Sequence, residues 1–409
     1  MIYVLLGIAL LGTLTSTIFL GLVLVASARF KRTARERAAQ QKPTGLPPVS
    51  LIKPLHGAEP ELREYLESFF ALDYPDFEIL FCARTEADLG LQLAREVAAR
   101  HPRIPVRFLL SGVPPWPNAR CYSVSIMARE SAHDLLVVTD SDVRVRPQFL
   151  REVVASFADP GVGALTCLYR GDATGMGLWA LMEGMGMSVE MTAGVVVADM
   201  LEGMKFTLGP CMAVRKEALS GIGGFDRLGY YYADDFMLGN LVAENGHEVV
   251  LSSHVIDHCI VNDGFWRNFS HQWSWMKSTR FSRPWGHLGT GLTFAAPFGL
   301  LGLLGGYVAG MPELGWLLLG WAYVSRVLLS LIAGGWVVDD PDAFKFCWLY
   351  PLRDLMGAVL WAASYTSRQV GWRDDRFVLE KGGLMRKIDG AASGGTLPED
   401  SSKISADGR

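Results

Sequence analysis

Residues 2–27, IYVLLGIALLGTLTSTIFLGLVLVAS, carry no charge. A helix needs about 20 apolar residues to cross the hydrocarbon core of a bilayer, so this run is long enough to span one. It passes at once into RFKRTARER, and a basic cluster at the end of a span marks the cytoplasmic side. A cleaved secretory signal has a shorter apolar run, with its charges before it rather than after. The expectation is a retained anchor over residues 1–28 and a cytosolic basic linker over 29–48, with a cytoplasm-facing body beyond.

Apolar segments return at 288–311, 314–337 and 343–366. The last is interrupted by Lys345, Pro351, Arg353 and Asp354, a pattern expected of a segment lying partly in the interface. Three full crossings would put the C-terminus outside, yet Arg368, Arg373, Arg376, Lys381, Arg386 and Lys387 prefer the inside. The membrane part, 288–366, is therefore read as two or three crossings, with one segment re-entrant or interfacial. The tail from 367 is cytosolic or of undetermined side, and DGAASGGTLPEDSSKISADGR, from about 389, is small and polar enough to be disordered.

Residues 49–262 have the composition of a soluble domain. VSLIK (49–53), FEILFCA (77–83), VRFLL (106–110) and LLVVTD (135–140) read as strands, each followed by an amphipathic helical pattern. Such alternation specifies an α/β domain with a mostly parallel sheet, whose ligands collect at the carboxyl ends of the strands. Asp88 and Asp140 fall at such ends. The net charge of −4 gives no sign of nucleic-acid binding. The six cysteines include no CxxC pair and read as buried reduced thiols. His254 and His258 have helical spacing, but no Cys or carboxylate set completes a zinc site with them.

Three stretches carry chemistry. TDSD places Asp140 and Asp142 one residue apart, an oxygen-only pair that suits Mg²⁺ or Mn²⁺ bound together with a substrate diphosphate. Solvated strand-end acids give the same pattern. Asp234 and Asp235 open the helical pattern DDFMLGNLVAE, where a carboxylate serves either as a helix-dipole partner or as a general base. GFWRNFSHQWSWMKSTRFSRPWG (264–286) is basic and aromatic, with Trp266, Phe269, Trp273 and Met276 roughly on one face. It reads as an amphipathic interface helix over 263–287.

LIKPLHGAEPELREYLESFFALDYPDFEILFC (51–82), EADLG, TDSDVRV, TLGPCMAVRKEALSGIGGF and ADDFM together resemble the ceramide glucosyltransferase family, glycosyltransferase family 21, which is related to family 2. The resemblance spans roughly 49–285 and continues weakly through YPLRDLM and VGWRDDRF. It implies an A-type nucleotide-diphospho-sugar transferase fold, with an N-terminal transmembrane anchor and C-terminal membrane helices. It further implies a UDP-sugar donor and a membrane-lipid acceptor, most simply glucose and ceramide. Lys53, Asp88 and Arg120 would bind the nucleotide sugar, with Asp88 at the base or ribose. Asp140 and Asp142 would hold Mg²⁺ or Mn²⁺ and the diphosphate. Asp235 would take the proton of the lipid hydroxyl in a single inverting displacement that yields a β-linked glycolipid.

The chain departs from the family pattern in places. The [Q/R]xxRW element stands here as His271-Gln272-Trp273-Ser274-Trp275, so leaving-group stabilisation would pass to His271, Lys277 or Arg280 beside Trp275. Asn-Pro-Lys stands as Asn118-Ala119-Arg120, which keeps a cation. Val189-Glu190 replaces a His-Pro, which leaves a hopanoid or another lipid open as acceptor, and UDP-GlcNAc or UDP-galactose as donor. A processive polysaccharide synthase would need a longer membrane channel. A haloacid-dehalogenase-type phosphatase would need an aspartate on the first strand, and VSLIK has none. A catalytically inactive membrane scaffold would explain the lost arginine.

Overall fold

In the computed structural model, which describes residues 2–40, 45–59, 61–261, 264–372 and 375–388, eight strands form one mixed sheet. They are β1 (Val49–Pro54), β2 (Phe77–Ala83), β3 (Val106–Leu110), β4 (Leu135–Thr139), β5 (Val143–Arg144), β6 (Val162–Asp172), β7 (Cys211–Arg215) and β8 (Glu248–Cys259). Their order is β3-β2-β1-β4-β7-β6-β8-β5. β3, β2, β1 and β4 run parallel, β7 is antiparallel to both its neighbours, and β6 and β8 are again parallel. β1, β2 and β4 read as continuous apolar runs because both faces of the sheet are covered.

Alternation along each strand divides the core between the two faces. Leu51, Ile79, Phe81 and Val137 pack under α2 (Leu62–Phe70), α3 (Leu89–Ala99) and α5 (Phe149–Ala155). Ile52, Leu80, Leu136 and Val138 face α4 (Ala119–Glu130) and later helices. All the strands and helices expected for the first half of the domain are present within a few residues. Among the described residues no disulfide forms, and every cysteine except Cys347 is buried.

The membrane-facing part differs more from expectation. α1 runs unbroken from Ile2 to Gln40, so the basic stretch assigned to the linker continues the anchor helix for about three turns. α6 (Leu178–Glu202), with a π-helical segment at Gly186–Met191, lies within the expected soluble domain yet is long and apolar enough to cross a membrane. Its Ala193, Val195 and Val196 share a core with Leu20, Val23 and Ala26 of α1. Between α6 and the next membrane element come α7 (Lys216–Gly221), α8 (Gly224–Leu228), α9 (Asp234–Glu244), α10 (Phe265–Ser282) and α11 (Pro284–Thr290).

α12 (Ala296–Val308) and α13 (Pro312–Val337) then form a tight hairpin, closed where a Cβ on Gly306 would lie 2.8 Å from the Gly315 backbone. α14 (Pro341–Lys345) and α15 (Tyr350–Ala363) complete the bundle. The 13 residues of α12 and 14 of α15 reach only about 20 Å at 1.5 Å per residue, short of a bilayer core of about 30 Å. α1 and α13 are long enough to cross; one crossing after the catalytic domain is odd, as three are, so the crossing-parity conflict of the sequence stands. Arg353 and Asp354 do not reach an interface, being 3% and 2% exposed inside the bundle.

α10 also corrects the sequence picture. Its aromatic side faces outward, with Trp266 78% exposed, whereas Asn268, Gln272, Ser274 and Lys277 are buried. A polar inner face and aromatic outer face suit a helix lying against a polar network from within and lipid headgroups from without. Part of the tail is folded. β9 (Gln369–Trp372), β10 (Asp375–Leu379) and β11 (Met385–Lys387) make an antiparallel sheet over a small core of Val370, Phe377, Leu379 and Met385. Residues 389–409 lie outside the described residues.

Candidate active site

The site lies where β1 and β4 end. Lys53 is fully enclosed in β1, and its Nζ donates to Thr139 Oγ1 at 3.0 Å and to the Asp140 carbonyl at 2.8 Å. The ammonium also sits 3.7 Å from the centre of the Phe69 ring. Burial pulls its pKa to about 7, opposed by the charges of Asp140 and Asp142.

Past Thr139 the strand ends, and the two carboxylates part. Arg120, at the N-terminal turn of α4, donates from Nε to Asp140 Oδ1 at 2.7 Å, from Nη1 to Asp234 Oδ2 at 2.6 Å and from Nη2 to the Gly209 carbonyl at 3.0 Å. One guanidinium thus ties together three segments distant in sequence, and its pKa is raised by the two carboxylates. Asp142 turns instead toward His258 of β8, with Oδ2 3.6 Å from Nε2. Burial pushes the Asp142 carboxyl up. Its Oδ1 is buried without a hydrogen-bond partner.

Glu59, in the loop after β1, stands close enough for Asp142 and Asp140 to add to the burial that raises its carboxyl to about 7. Its Oε2 is also buried and unpartnered. Sequence reading missed both Glu59 and His258. An acid just past the end of a central strand was a usable signal for the first. For the second, the i,i+4 spacing suggested a helix, whereas the histidine lies in a strand.

Asp235 begins α9, where Oδ2 accepts from Gly209 N at 2.7 Å and Oδ1 from Phe236 N at 2.8 Å. Burial, with Asp234 next to it, raises its pKa from 3.8 to about 6. Asp234 is 5% exposed and held by Arg120 and by Asn118 Nδ2 at 3.2 Å; burial outweighs these and pushes its carboxyl up. Asp234 is thus enclosed by Arg120 and Asn118, whereas Asp235 is bonded to backbone amides and less buried. A Cβ on Gly209 would lie 3.1 Å from Asp235 Oδ2 and 3.8 Å from Asp140 Oδ2. Both carboxylates thus flank one small space that only glycine leaves open.

Asp88 caps α3, its Oδ1 accepting from Leu91 N at 3.2 Å and its Oδ2 from Gly57 N at 2.9 Å. It fixes the loop that carries Glu59. The candidate leaving-group cations of α10 are engaged elsewhere. Lys277 donates to the Gln369 carbonyl and Arg280 to the Ser364 carbonyl. His271 Nδ1 lies 2.8 Å from Glu183 Oε1, and Trp275 packs on the His271 ring at 4.3 Å. Lys277 holds the tail and Arg280 the turn after α15, and the cations that meet Asp140 are Arg120 and Lys53.

Tyr232 N donates to the Gly383 carbonyl at 3.0 Å, and Met385 N to the Tyr230 carbonyl at 2.9 Å. The tail sheet is thereby bonded to the segment two residues ahead of Asp234.

Among the described residues no three His, Cys, Asp or Glu side chains form a ready-made cage for an ion. A magnesium- or manganese-type site does not need one, since one or two carboxylates and substrate phosphates complete it. The unpartnered Asp142 oxygen fits that kind of ligand set.

The protein joins a mixed, mostly parallel sheet with acidic groups at its carboxyl edge to helices long and apolar enough to cross a membrane. The chain belongs to glycosyl transferase family 21, whose sequence profile matches residues 13–385. It is similar to ceramide glucosyltransferase 1 of Caenorhabditis elegans, 26% identical over 83% of this chain and 73% of that protein. Ceramide glucosyltransferase 3 of the same organism is 23% identical over 83% and 74%. Among solved structures, mannosyltransferase PcManGT from Pyrobaculum calidifontis, in complex with GDP-Man and Mn²⁺, aligns with a TM-score of 0.47 at 17% identity. That alignment covers 86% of this chain and 99% of that one.

Proposed function

We propose that the enzyme transfers a hexose, glucose foremost, from a UDP-sugar to the hydroxyl of a ceramide-like membrane lipid, with inversion at the anomeric carbon. The observation that carries this reading is the shared space above Gly209. There a carboxylate with its pKa raised to about 6, Asp235, stands beside a carboxylate gripped by Arg120, Asp140. A general base works best with a pKa near the operating pH, and Asp235 is mostly ionised at pH 7.

Asp140 and Asp142 are the residues that would hold Mg²⁺ or Mn²⁺, which would supply positive charge to the diphosphate. Arg120 keeps a fixed positive charge beside Asp140, and Lys53, its pKa lowered by burial to about 7, donates to the Asp140 carbonyl. The lipid oxygen attacks the anomeric carbon as the bond to the UDP oxygen breaks. Asp235 receives the hydroxyl proton, and the electron pair leaves with UDP. Asp88 and Glu59 shape the loop on which the nucleotide would lie. The basic C-terminal end of the anchor supports a catalytic domain on the cytoplasmic face.

The test is mass spectrometry of lipids from cells with and without the gene. It is paired with the purified enzyme offered UDP-glucose, UDP-galactose or UDP-GlcNAc with ceramide or a hopanoid alcohol. Appearance of a β-hexosylceramide that depends on both gene and UDP-glucose is expected. Label in polymer, or phosphate release without a sugar donor, would sink the reading.

A further inference from the structure

Four charged side chains meet inside the helical bundle: Arg326 of α13, Arg353 and Asp354 of α15, and Glu190 in the π-helical segment of α6. Arg326 is 1% exposed, and the two residues of α15 are nearly as enclosed. Arg326 Nη1 donates to the Thr293 carbonyl at 2.9 Å and lies 3.3 Å from Asp354 Oδ1. Asp354 Oδ2 accepts from Ala295 N at 2.9 Å and Ala296 N at 2.8 Å, at the start of α12. Arg353 Nη2 donates to Gln272 Oε1 at 2.9 Å and stands 3.0 Å from Glu190 Oε2, in ion-pair contact but not aligned as a hydrogen bond.

These contacts leave much unused. Nε and Nη2 of Arg326, Nε and Nη1 of Arg353, and Oε2 of Glu190 are buried without hydrogen-bond partners. Each such group costs on the order of 1–3 kcal/mol, and more when charged. Charges kept inside a membrane bundle at that cost mark substrate or ion sites. The backbone is cut away to admit them. A Cβ on Gly186 would fall 2.3 Å from Arg353 Nη2, and one on Gly357 would fall 3.0 Å from both Arg353 Nη1 and Glu190 Oε2.

A wholly apolar groove of about 240 Å³ abuts this cluster, walled by Ala296, Leu300, Leu319, Ala322, Pro351 and Leu355. Ala296 is itself bonded to Asp354, and Ala322 stands one turn before Arg326, so the groove wall backs directly onto the charges, which do not themselves line it. Leu300 and the neighbouring Leu352 are 45% and 56% exposed on the side where lipid would lie. From the cluster's other side, α6 leads to the catalytic edge. Two residues before Glu190, Ser188 Oγ accepts from Gly171 N at 3.0 Å, and Gly171 pairs with His258, the neighbour of Asp142.

We propose that groove and cluster form the acceptor subsite, the groove holding a lipid chain and the free Arg326 and Arg353 N–H groups donating to oxygens of its head. This rests on the assignment of a lipid acceptor above. The unused groups are mainly donors, so the head must offer oxygen acceptors. Two arginines and two carboxylates formally cancel, which suits a neutral head with hydroxyl and carbonyl oxygens rather than a phosphate. Glu190 Oε2, in ion-pair contact with Arg353 but without a hydrogen-bond donor, matches a hydroxyl or amide N–H.

The test uses the full chain in phosphatidylcholine nanodiscs with a ceramide bearing a diazirine in its acyl chain. Irradiation should place label on peptides from 312–337 and 350–363. Excess unlabelled ceramide should displace it, added phosphatidylcholine should not, and Leu355→Trp, which fills the groove, should lower it at least fivefold. Arg353→Gln should raise the acceptor KM at least tenfold and leave the UDP-glucose KM within twofold, with Arg353→Lys recovering part of the loss. Displacement by phosphatidylcholine, labelling indifferent to Leu355→Trp, or loss in kcat with the acceptor KM unchanged would each overturn the proposal. Cross-linking needs no turnover. A wild-type chain that captures the probe but makes no glycolipid therefore refutes the transfer assignment and leaves the lipid site standing.

Discussion

Asp235→Asn separates base chemistry from folding, because the two effects have opposite signs. Raising the folded carboxyl from 3.8 to about 6 corresponds to about 3 kcal/mol at 1.36 kcal/mol per tenfold. A carboxyl with a raised folded pKa binds its proton more tightly in the folded state. The penalty is absent below pH 3.8, grows as pH rises to about 6, and is complete above it. Asp235 is half-buried by exposed area, so screening brings the realised figure toward about 1–2 kcal/mol. The amide removes that penalty but offers one oxygen where the carboxylate accepts from both Gly209 N and Phe236 N, at a cost of about 1 kcal/mol. The variant should thus melt within a few degrees of wild type, or slightly above it, at pH 7.5. Loss of a general base should nonetheless cut kcat by about 10²–10⁴-fold, with UDP binding retained. The assay is radiolabel transfer to extractable lipid across pH 5–8, beside calorimetric titration of UDP. Wild-type kcat should fall tenfold per pH unit below about 6. Turnover within tenfold of wild type in the variant, or an acid limb near pH 4 in wild type, would refute Asp235 as the base.

Other outcomes follow from the same geometry. EDTA should abolish transfer and Mn²⁺ or Mg²⁺ restore it, while Asp140→Ala should lose metal-dependent donor binding by titration. Activity untouched by chelation would remove the metal reading of Asp140 and Asp142. Arg120→Lys cannot reproduce three directed bonds, two of them to carboxylates, and should lose about 2–4 kcal/mol in urea unfolding together with most activity. Ending the chain after Thr366 removes the sheet bonded to Tyr230 and Tyr232. It should lower kcat more than donor affinity, as seen by comparing initial rates with UDP titration.

The positions of the proposed donor residues were legible because they sit at the ends of regular elements. TDSD follows a buried strand, ADDFM opens a helix, and each element forms where its apolar period demands. What escaped was whatever depends on contacts between elements. The sequence placed Lys277 and Arg280 as candidate leaving-group cations, since a cation's type says nothing of where its head group is held. α6 was not singled out because an apolar helix looks the same in sequence whether it faces lipid or, like most of α6, is covered by protein.

Read alone, the sequence determined the apolar N-terminal run, the α/β alternation, the family and the placing of Asp140, Asp142 and Asp235 at the ends of regular elements. Only the tertiary structure decided which cations meet those acids, that the tail folds onto the catalytic loop, and that Arg326, Arg353, Asp354 and Glu190 lie together. Period and composition act over neighbouring residues and survive in a linear chain. Charge pairing acts through space, between Arg120 and Asp234 across 114 positions, and exists only once the fold has closed.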